Sequence, residues 1–386
     1  MARPRVAAIV TEYWVPAHAD VIISKLLEGY SLYGERTEPR IEVASLYLDQ
    51  VPENDIGREM AAKHHVPIFP TVGEAIGVGK PGVNVDGVVL VGEHGAYPVN
   101  ELGQVLYPRR RLFDAAVATM VGAGRTVPIF NDKHLSWSFP YAKSMYDTAQ
   151  RLGIPFLAGS TLPIAWRIEP VVWPLETEVE EVLGIGFGPI ESYGFHALEM
   201  VQCMAERRRG GETGVSAVQC LEGDAAWDAA ETHWSPELFD AAAAAIGQDG
   251  AAWRDQRPET AIAFLVTYRD GLQGTVILLN GLIKQFAFAG RTKQGVDACE
   301  FRLQRGDAHG HFTFLVRQIE SMMLTGQAPY PIERTLLVTG ILDALMQSRH
   351  DGHAVRETPE LDISYHAPAS VSDTGIGAPP PEQIND

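Results

Sequence analysis

The sequence predicts an α/β chain in two parts: a doubly wound parallel sheet, then an α+β domain with a mostly antiparallel sheet. Three observations predict it. Residues 5–160 alternate short apolar runs with helical patterns, which implies parallel strands with helices on both faces. Beyond about residue 170, strand-like runs follow one another, which implies antiparallel pairing. Between them, a buried-type strand beginning at Val127 ends in four polar residues, Asn131, Asp132, Lys133 and His134. In a parallel sheet the carboxyl ends of the strands line the ligand crevice. The predicted domains are residues 1–165 and 166–365, with 366–386 as a disordered tail that includes Pro379, Pro380 and Pro381.

Each element follows from its pattern. Val6, Ala7, Ala8, Ile9 and Val10 make an apolar first strand, ended by Thr11 and Glu12. A helix over 18–33 carries Val21, Ile22, Leu26 and Leu27 at its apolar positions. Strands follow at 41–48, 66–69 and 87–91, with helices at 53–64 and 111–121. After the strand at Val127, a helix places Ala142, Met145, Tyr146, Ala149 and Leu152 at helical spacing and stops at Gly153. A strand at 154–158 closes the series. The second domain reads as strand 178–186, helix 194–208, strand 214–221 and an alanine-rich helix 238–246. Strands at 261–268, 274–279, 283–289 and 299–303 follow, the first pair joined by a turn at Asp270 and Gly271. Helices at 312–324 and 332–349 complete it.

Composition narrows the function. A net charge of -18 opposes binding to nucleic acid or to an anionic membrane. No apolar run has the length of a membrane span, and the amino-terminal apolar run is too short for a signal-peptide core. Cys203, Cys220 and Cys299 are far apart with no CxxC pair, which fits buried thiols in a reducing, cytoplasmic setting. The strand ends gather chemistry: Glu12, Tyr13 and His18 after the first strand, Glu93, His94 and Tyr97 after the fourth, and Asp132, Lys133 and His134 after the fifth. The second domain adds Glu191, His196 and Glu199. Imidazoles and carboxylates together suit Zn²⁺, Mn²⁺ or Fe²⁺, with His94, His134, His196 and Glu93 as the candidate ligands.

Five stretches resemble the glucose–fructose oxidoreductase / inositol dehydrogenase / MocA family. They are His18-Ala19, Leu48 to Pro52, Asn131 to Leu135, Gly159 to Pro163, and Gly194-Phe-His-Ala-Leu-Glu199. The resemblance implies a Rossmann-like first domain, an open-faced second sheet, NAD or NADP as cofactor, and a homo-dimer or homo-tetramer. It implies Lys133 as the contact to substrate hydroxyl and cofactor, His196 as the general acid or base, and Asp49 as the ligand of the adenosine ribose. Placement at the strand ends adds Asp132 to the catalytic group and Thr11, Glu12 and Glu93 to the cofactor, and sets Tyr13, His94, Tyr97, His134, Glu191 and Glu199 at a sugar, polyol or related small-molecule substrate. A base for the hydroxyl proton and a nearby cation suit oxidation of a carbinol. The alternative activity is a cofactor-independent or metal-dependent lyase, epimerase or hydrolase in the same crevice. A binding or regulatory protein on the same scaffold is a third expectation.

The chain departs from that family at three places. The first turn, Thr11 to Ala17, holds no glycine and carries Glu12, whose charge would repel a pyrophosphate. Ser192 stands where the family has an aspartate, and His134 where it has a proline. A literal glycine motif at Gly77, Gly79 and Gly82 precedes a strand and is read as a linker. Arg109, Arg110 and Arg111 open a helix at its unfavourable pole and are read as solvated surface. Trp227, Trp234 and Trp253 are read as cover for the site or an interface.

Overall fold

The computed structural model describes residues 2–32, 35–230, 232–304 and 309–377. In the first domain the strands are β1 (Arg5–Val10), β2 (Tyr30–Leu32), β3 (Glu35–Thr37), β4 (Glu42–Leu48), β5 (Gly87–Val91), β6 (Ile129–Asp132) and β7 (Phe156–Gly159). β2 and β3 form a small hairpin; the other five form one parallel sheet in the order β4-β1-β5-β6-β7. Every residue of β5 is buried, as expected of a strand covered on both faces. The strand order reverses between β1 and β5, so the loops after those two strands flank the crevice.

The second domain contributes β8 (Trp166–Ile168), β9 (Val179–Gly186), β10 (Val215–Glu222), β11 (Ala261–Tyr268), β12 (Gln273–Leu279), β13 (Phe286–Thr292), β14 (Gly295–Arg302) and β15 (Arg356–Glu357). Their order is β15-β10-β11-β12-β9-β13-β14-β8, with only the β12–β9 pair parallel among the described strands. Alternation divides the side chains between two cores. Phe264, Val276, Leu278, Phe286 and Phe288 face the helices Ser192–Ala205 and Glu333–His350. Ala263, Leu265, Ile277, Leu279 and Ala287 face the opposite way, onto a cluster of Trp227, Trp234, Trp253 and Phe239. The three tryptophans therefore neither cover the cleft nor stand free. They pack on the sheet face that the resemblance leaves open for a subunit contact.

Most predicted elements are present, with shifted ends. Residues 66–69 make only a single bridge, Leu46 to Ile68, because Pro67 and Pro70 lack the amides a ladder needs. The first helix is short, Asp20–Ser24 and Lys25–Glu28, and stops at Gly29, whose φ of +85° turns the chain into β2. Short helices at Val72–Gly77, Asp224–Asp228 and Gly250–Gln256 were not predicted. The loop holding Gly79 and Gly82 opens no helix, as the linker reading requires. The start of the expected disordered tail is packed instead. Arg207 bonds the carbonyls of Pro368 and Ala369, Arg317 pairs with Asp373, and Gly375 N–H bonds Ile164 O. Residues 378–386, with the three prolines, lie outside the described residues. No described helix is long and apolar enough to cross a membrane.

Candidate active site

The strand ends form the floor of an interdomain cleft. Lys133 has φ +59° and its N–H bonds Gly159 O at 3.2 Å, which ties the ends of β6 and β7 together. A side chain at Gly159 would lie 2.5 Å from Glu199 Oε1, so glycine is needed there. At the end of β5, His94 has φ +66°, and Gly95 (φ +123°) leaves room for the Tyr97 ring.

One buried charge network organises this floor. Glu93 accepts from Lys133 Nζ through Oε1 and from Arg109 Nη2, at 2.7 Å, through Oε2. Arg109, with no exposed surface, also donates from Nη1 to His134 Nδ1 at 2.9 Å. A guanidinium has no acceptor, so Nδ1 must accept and the imidazole hydrogen sits on Nε2. Burial, with the Arg109 charge second, holds His134 well below the ordinary histidine range. Burial would raise Glu93, but Lys133, His18 and Arg109 outweigh it and hold the carboxyl well down.

His134 Nε2 and Glu191 Oε1 face each other at 3.9 Å, and both are buried with no hydrogen-bond partner among the described residues. The other Glu191 oxygen accepts Val105 N–H at 2.9 Å. Burial pushes the Glu191 carboxyl up to about 7. An oxygen about 2.8 Å from each atom would satisfy both. The space around them is a cavity of about 520 Å³ lined by Glu93, Tyr107, Lys133, His134, Glu191, Phe195, Asn280 and Arg349, among others.

The other expected residues are placed as follows. Asp132 Oδ2 meets His18 Nδ1 at 2.7 Å, and its other oxygen is buried and unpartnered. The His196 ring lies among Tyr193, Phe195 and Phe286, with a buried, unpartnered Nδ1. Burial, then the charge of Lys133, keeps His196 well below its usual range. His94 lies 5.0 Å from the Trp14 ring, and burial lowers it to about 4. Thr11 Oγ1 donates to Glu93 O at 2.5 Å, and Glu12 takes the Trp14 indole N–H at 2.9 Å. Tyr13 is fully buried beneath the first helix, its hydroxyl 2.8 Å from Ser24 Oγ, so it is core and not a cleft residue. Glu199 is also buried, accepting Ser160 N–H at 2.8 Å and Ser160 Oγ–H at 2.6 Å. The expected metal set does not form. His134 Nδ1 and both Glu93 oxygens are engaged, and among the described residues no three His, Cys, Asp or Glu could hold a metal ion.

No protein-family model and no curated protein matches this sequence. Solved structures do match its fold. GenD2 from gentamicin A biosynthesis, in complex with NAD, is 16% identical, with a TM-score of 0.56 over 92% of this chain and 97% of its own. Scyllo-inositol dehydrogenase from Lactobacillus casei, with bound NAD(H) and scyllo-inositol, is 9% identical, with a TM-score of 0.55 over 92% and 99%. UDP-N-acetylglucosamine 3-dehydrogenase GnnA from Acidithiobacillus ferrooxidans is 13% identical, with a TM-score of 0.52 over 90% and 99%. The fold is that of the glucose–fructose oxidoreductase and inositol dehydrogenase family. At these identities the likeness is one of fold.

Where the resemblance implies the cofactor, the chain's own side chains meet at Asp49. Asp49 stands after β4, where the resemblance implies a ribose ligand. Its two oxygens accept from Arg111 Nη2 at 2.7 Å each, from Tyr47 OH at 2.6 Å and from Tyr97 OH at 2.6 Å. A carboxylate offers about four lone-pair sites, so none is left for a ribose. The amides of Thr11, Ala17 and Val21 are bonded to Val91, Trp14 and Ala17 carbonyls. Those amides cannot also receive a pyrophosphate. In this arrangement the Asp49 carboxylate and these three amides are engaged by the chain itself.

Sequence reasoning missed Arg109, Tyr107, Asn280 and Arg349. The arginine run was read as solvated surface. That holds for Arg111, which is exposed and pairs with Asp49, and in part for Arg110, which pairs with Asp114, but Arg109 is buried on Glu93. Three cations at a helix's positive pole were themselves the available signal, because that position requires acids from elsewhere.

Two measurements check this account. Arg109→Met should destabilise the protein by about 3–5 kcal/mol in chemical denaturation, because it leaves a buried carboxylate and an imidazole short of a partner. Glu199, like Glu191, is pushed up by burial to about 7 from an ordinary 4.5. The folded state therefore holds these protons more tightly than the unfolded state. Their contribution is full below about pH 4.5 and is lost as pH rises towards 7. Glu199→Gln should flatten the fall in melting temperature across that window.

Proposed function

We propose that this chain is an enzyme that oxidises a carbinol of a sugar, polyol or related hydroxylated small molecule. The facing pair of His134 Nε2–H and Glu191 Oε1 carries the proposal. A substrate hydroxyl between them accepts from His134 and gives its proton to Glu191, the Lys133 ammonium stabilises the developing alkoxide, and the carbinol hydrogen leaves as hydride to NAD⁺ or NADP⁺, the oxidant this reading requires. Glu191 is suited to the task because a base near 7 is deprotonated in useful measure and still accepts readily. The cavity is sized for such a molecule. The dehydrogenase fold supports oxidation as the reaction class: GenD2 and the Lactobacillus casei enzyme were solved with NAD or NAD(H).

A second reading keeps the substrate class and the proton transfer but is redox-neutral, an epimerisation or elimination beside a carbonyl. The engagement of Asp49 by the chain's own side chains favours it.

The test offers the full chain NAD⁺ or NADP⁺ with a panel of inositols, sugars and sugar acids. Reduced nicotinamide is followed, and deuterium uptake from D₂O is followed in parallel without nucleotide. The first reading predicts nucleotide reduction with kcat/KM rising through about pH 7 and falling ~10²–10⁴-fold in Glu191→Gln. The second predicts deuterium exchange without nucleotide, with the same loss in Glu191→Gln. Full activity in Glu191→Gln contradicts both.

A further inference from the structure

A second cavity, remote from this chemistry, is ringed by cations. It lies at the carboxyl end of the helix Ser192–Ala205, whose other end follows Glu191. Arg167, on β8, is 3% exposed. Its Nη1 donates to Val171 O at 2.9 Å, its Nη2 lies 3.5 Å from Pro163 O and 3.7 Å from Cys203 Sγ, and its buried Nε has no partner. The Phe301 ring lies 4.9 Å from the guanidinium. Arg207 bonds only carbonyls, those of Trp173, Pro368 and Ala369. Arg334, the third, is matched by Glu206, which also accepts the Tyr365 hydroxyl at 2.8 Å.

Three guanidiniums therefore share one carboxylate. Among the described residues, no acid pairs with Arg167 or Arg207. Cys203 does not supply the missing charge, because burial pushes its thiol up to about 11. A buried cation without a counter-ion is costly, and carbonyl dipoles only partly offset that cost. The cavity between these residues has a volume of about 190 Å³, with Pro368 to Val371 and Thr374 forming part of its wall. A water takes about 30 Å³ of liquid, so the space admits a phosphate-sized ion.

We propose that this cavity binds a small oxyanion, a phosphate or a short carboxylate, between Arg167, Arg207 and Arg334. Planar guanidinium groups match the paired oxygens of such ions, and a single bound charge relieves the repulsion among them. The same ion joins β8, the end of the Ser192–Ala205 helix and the segment 368–374, since each contributes to the wall. The proposal does not depend on the reaction assigned to the cleft.

The test titrates the full chain with inorganic phosphate and with acetate at constant ionic strength, chloride being the balancing ion, by calorimetry and thermal shift. Saturable binding of one or both is expected, with affinity at least tenfold lower in Arg167→Gln. The better ligand identifies the kind of oxyanion. If Arg167→Gln does not fold, Arg207→Gln, at the cavity's outer edge, takes its place on the same terms. Neither ion acting beyond the chloride control overturns the proposal. So does loss of binding in Lys133→Ala with retention in the arginine variant, which would put the ion in the cleft.

Discussion

Two cations and a carboxylate are buried together where β5 and β6 end, and their charges set the state of the groups around them. Glu93 has both oxygens engaged, one by Lys133 and one by Arg109. Arg109, anchored on Glu93 through Nη2, turns Nη1 to His134 Nδ1. The tautomer of His134 follows from that contact. Its Nε2–H is then turned to Glu191, which stands just before the helix Ser192–Ala205 of the other domain. The site rests on this chain of donors more than on any single residue, because Arg109 fixes the tautomer of His134 and that tautomer decides which hydrogen faces Glu191.

The fold delivers these groups from distant parts of the chain. Glu93 and His134 come from adjacent parallel strands, Arg109 from the helix Arg109–Ala123, and Glu191 from the second domain. The helix Glu333–His350 packs against both Phe139–Leu152 and Ser192–Ala205, so it holds the two walls of the cleft in place. Two solved structures of this architecture hold NAD or NAD(H), while here Asp49, Arg111, Tyr47 and Tyr97 satisfy one another. Fold and site chemistry are separately encoded, so the shared scaffold does not fix what these side chains bind.

Much of this was legible from the residues. Strand and helix periods located nearly every long element, because apolar spacing reports burial directly. Lys133, His134 and Glu93 were singled out because polar groups at strand ends of a parallel sheet have few other reasons to cluster, and Glu191 because it stands beside the second-domain stretch Gly194 to Glu199. Arg109 was not found, because its partner lies 16 residues away on another element and no local pattern encodes the meeting. Tyr13 and Glu199 were assigned to the cleft because sequence order gives no direction for a side chain; both turn into the interior. The covering of the second sheet by Trp227, Trp234 and Trp253 was hidden because the helices Asp224–Asp228 and Gly250–Gln256, of five and seven residues, carry too few periods to read.

The most direct measurement of the central claim is the protonation state of the His134 imidazole, read from the nitrogen shifts of ¹⁵N-histidine-labelled protein by NMR as pH is lowered. The account predicts a neutral ring with hydrogen on Nε2 and a bare Nδ1, persisting well below the pH at which exposed histidines become charged. Hydrogen on Nδ1, or an imidazolium appearing near pH 6.5, the ordinary value, would contradict it.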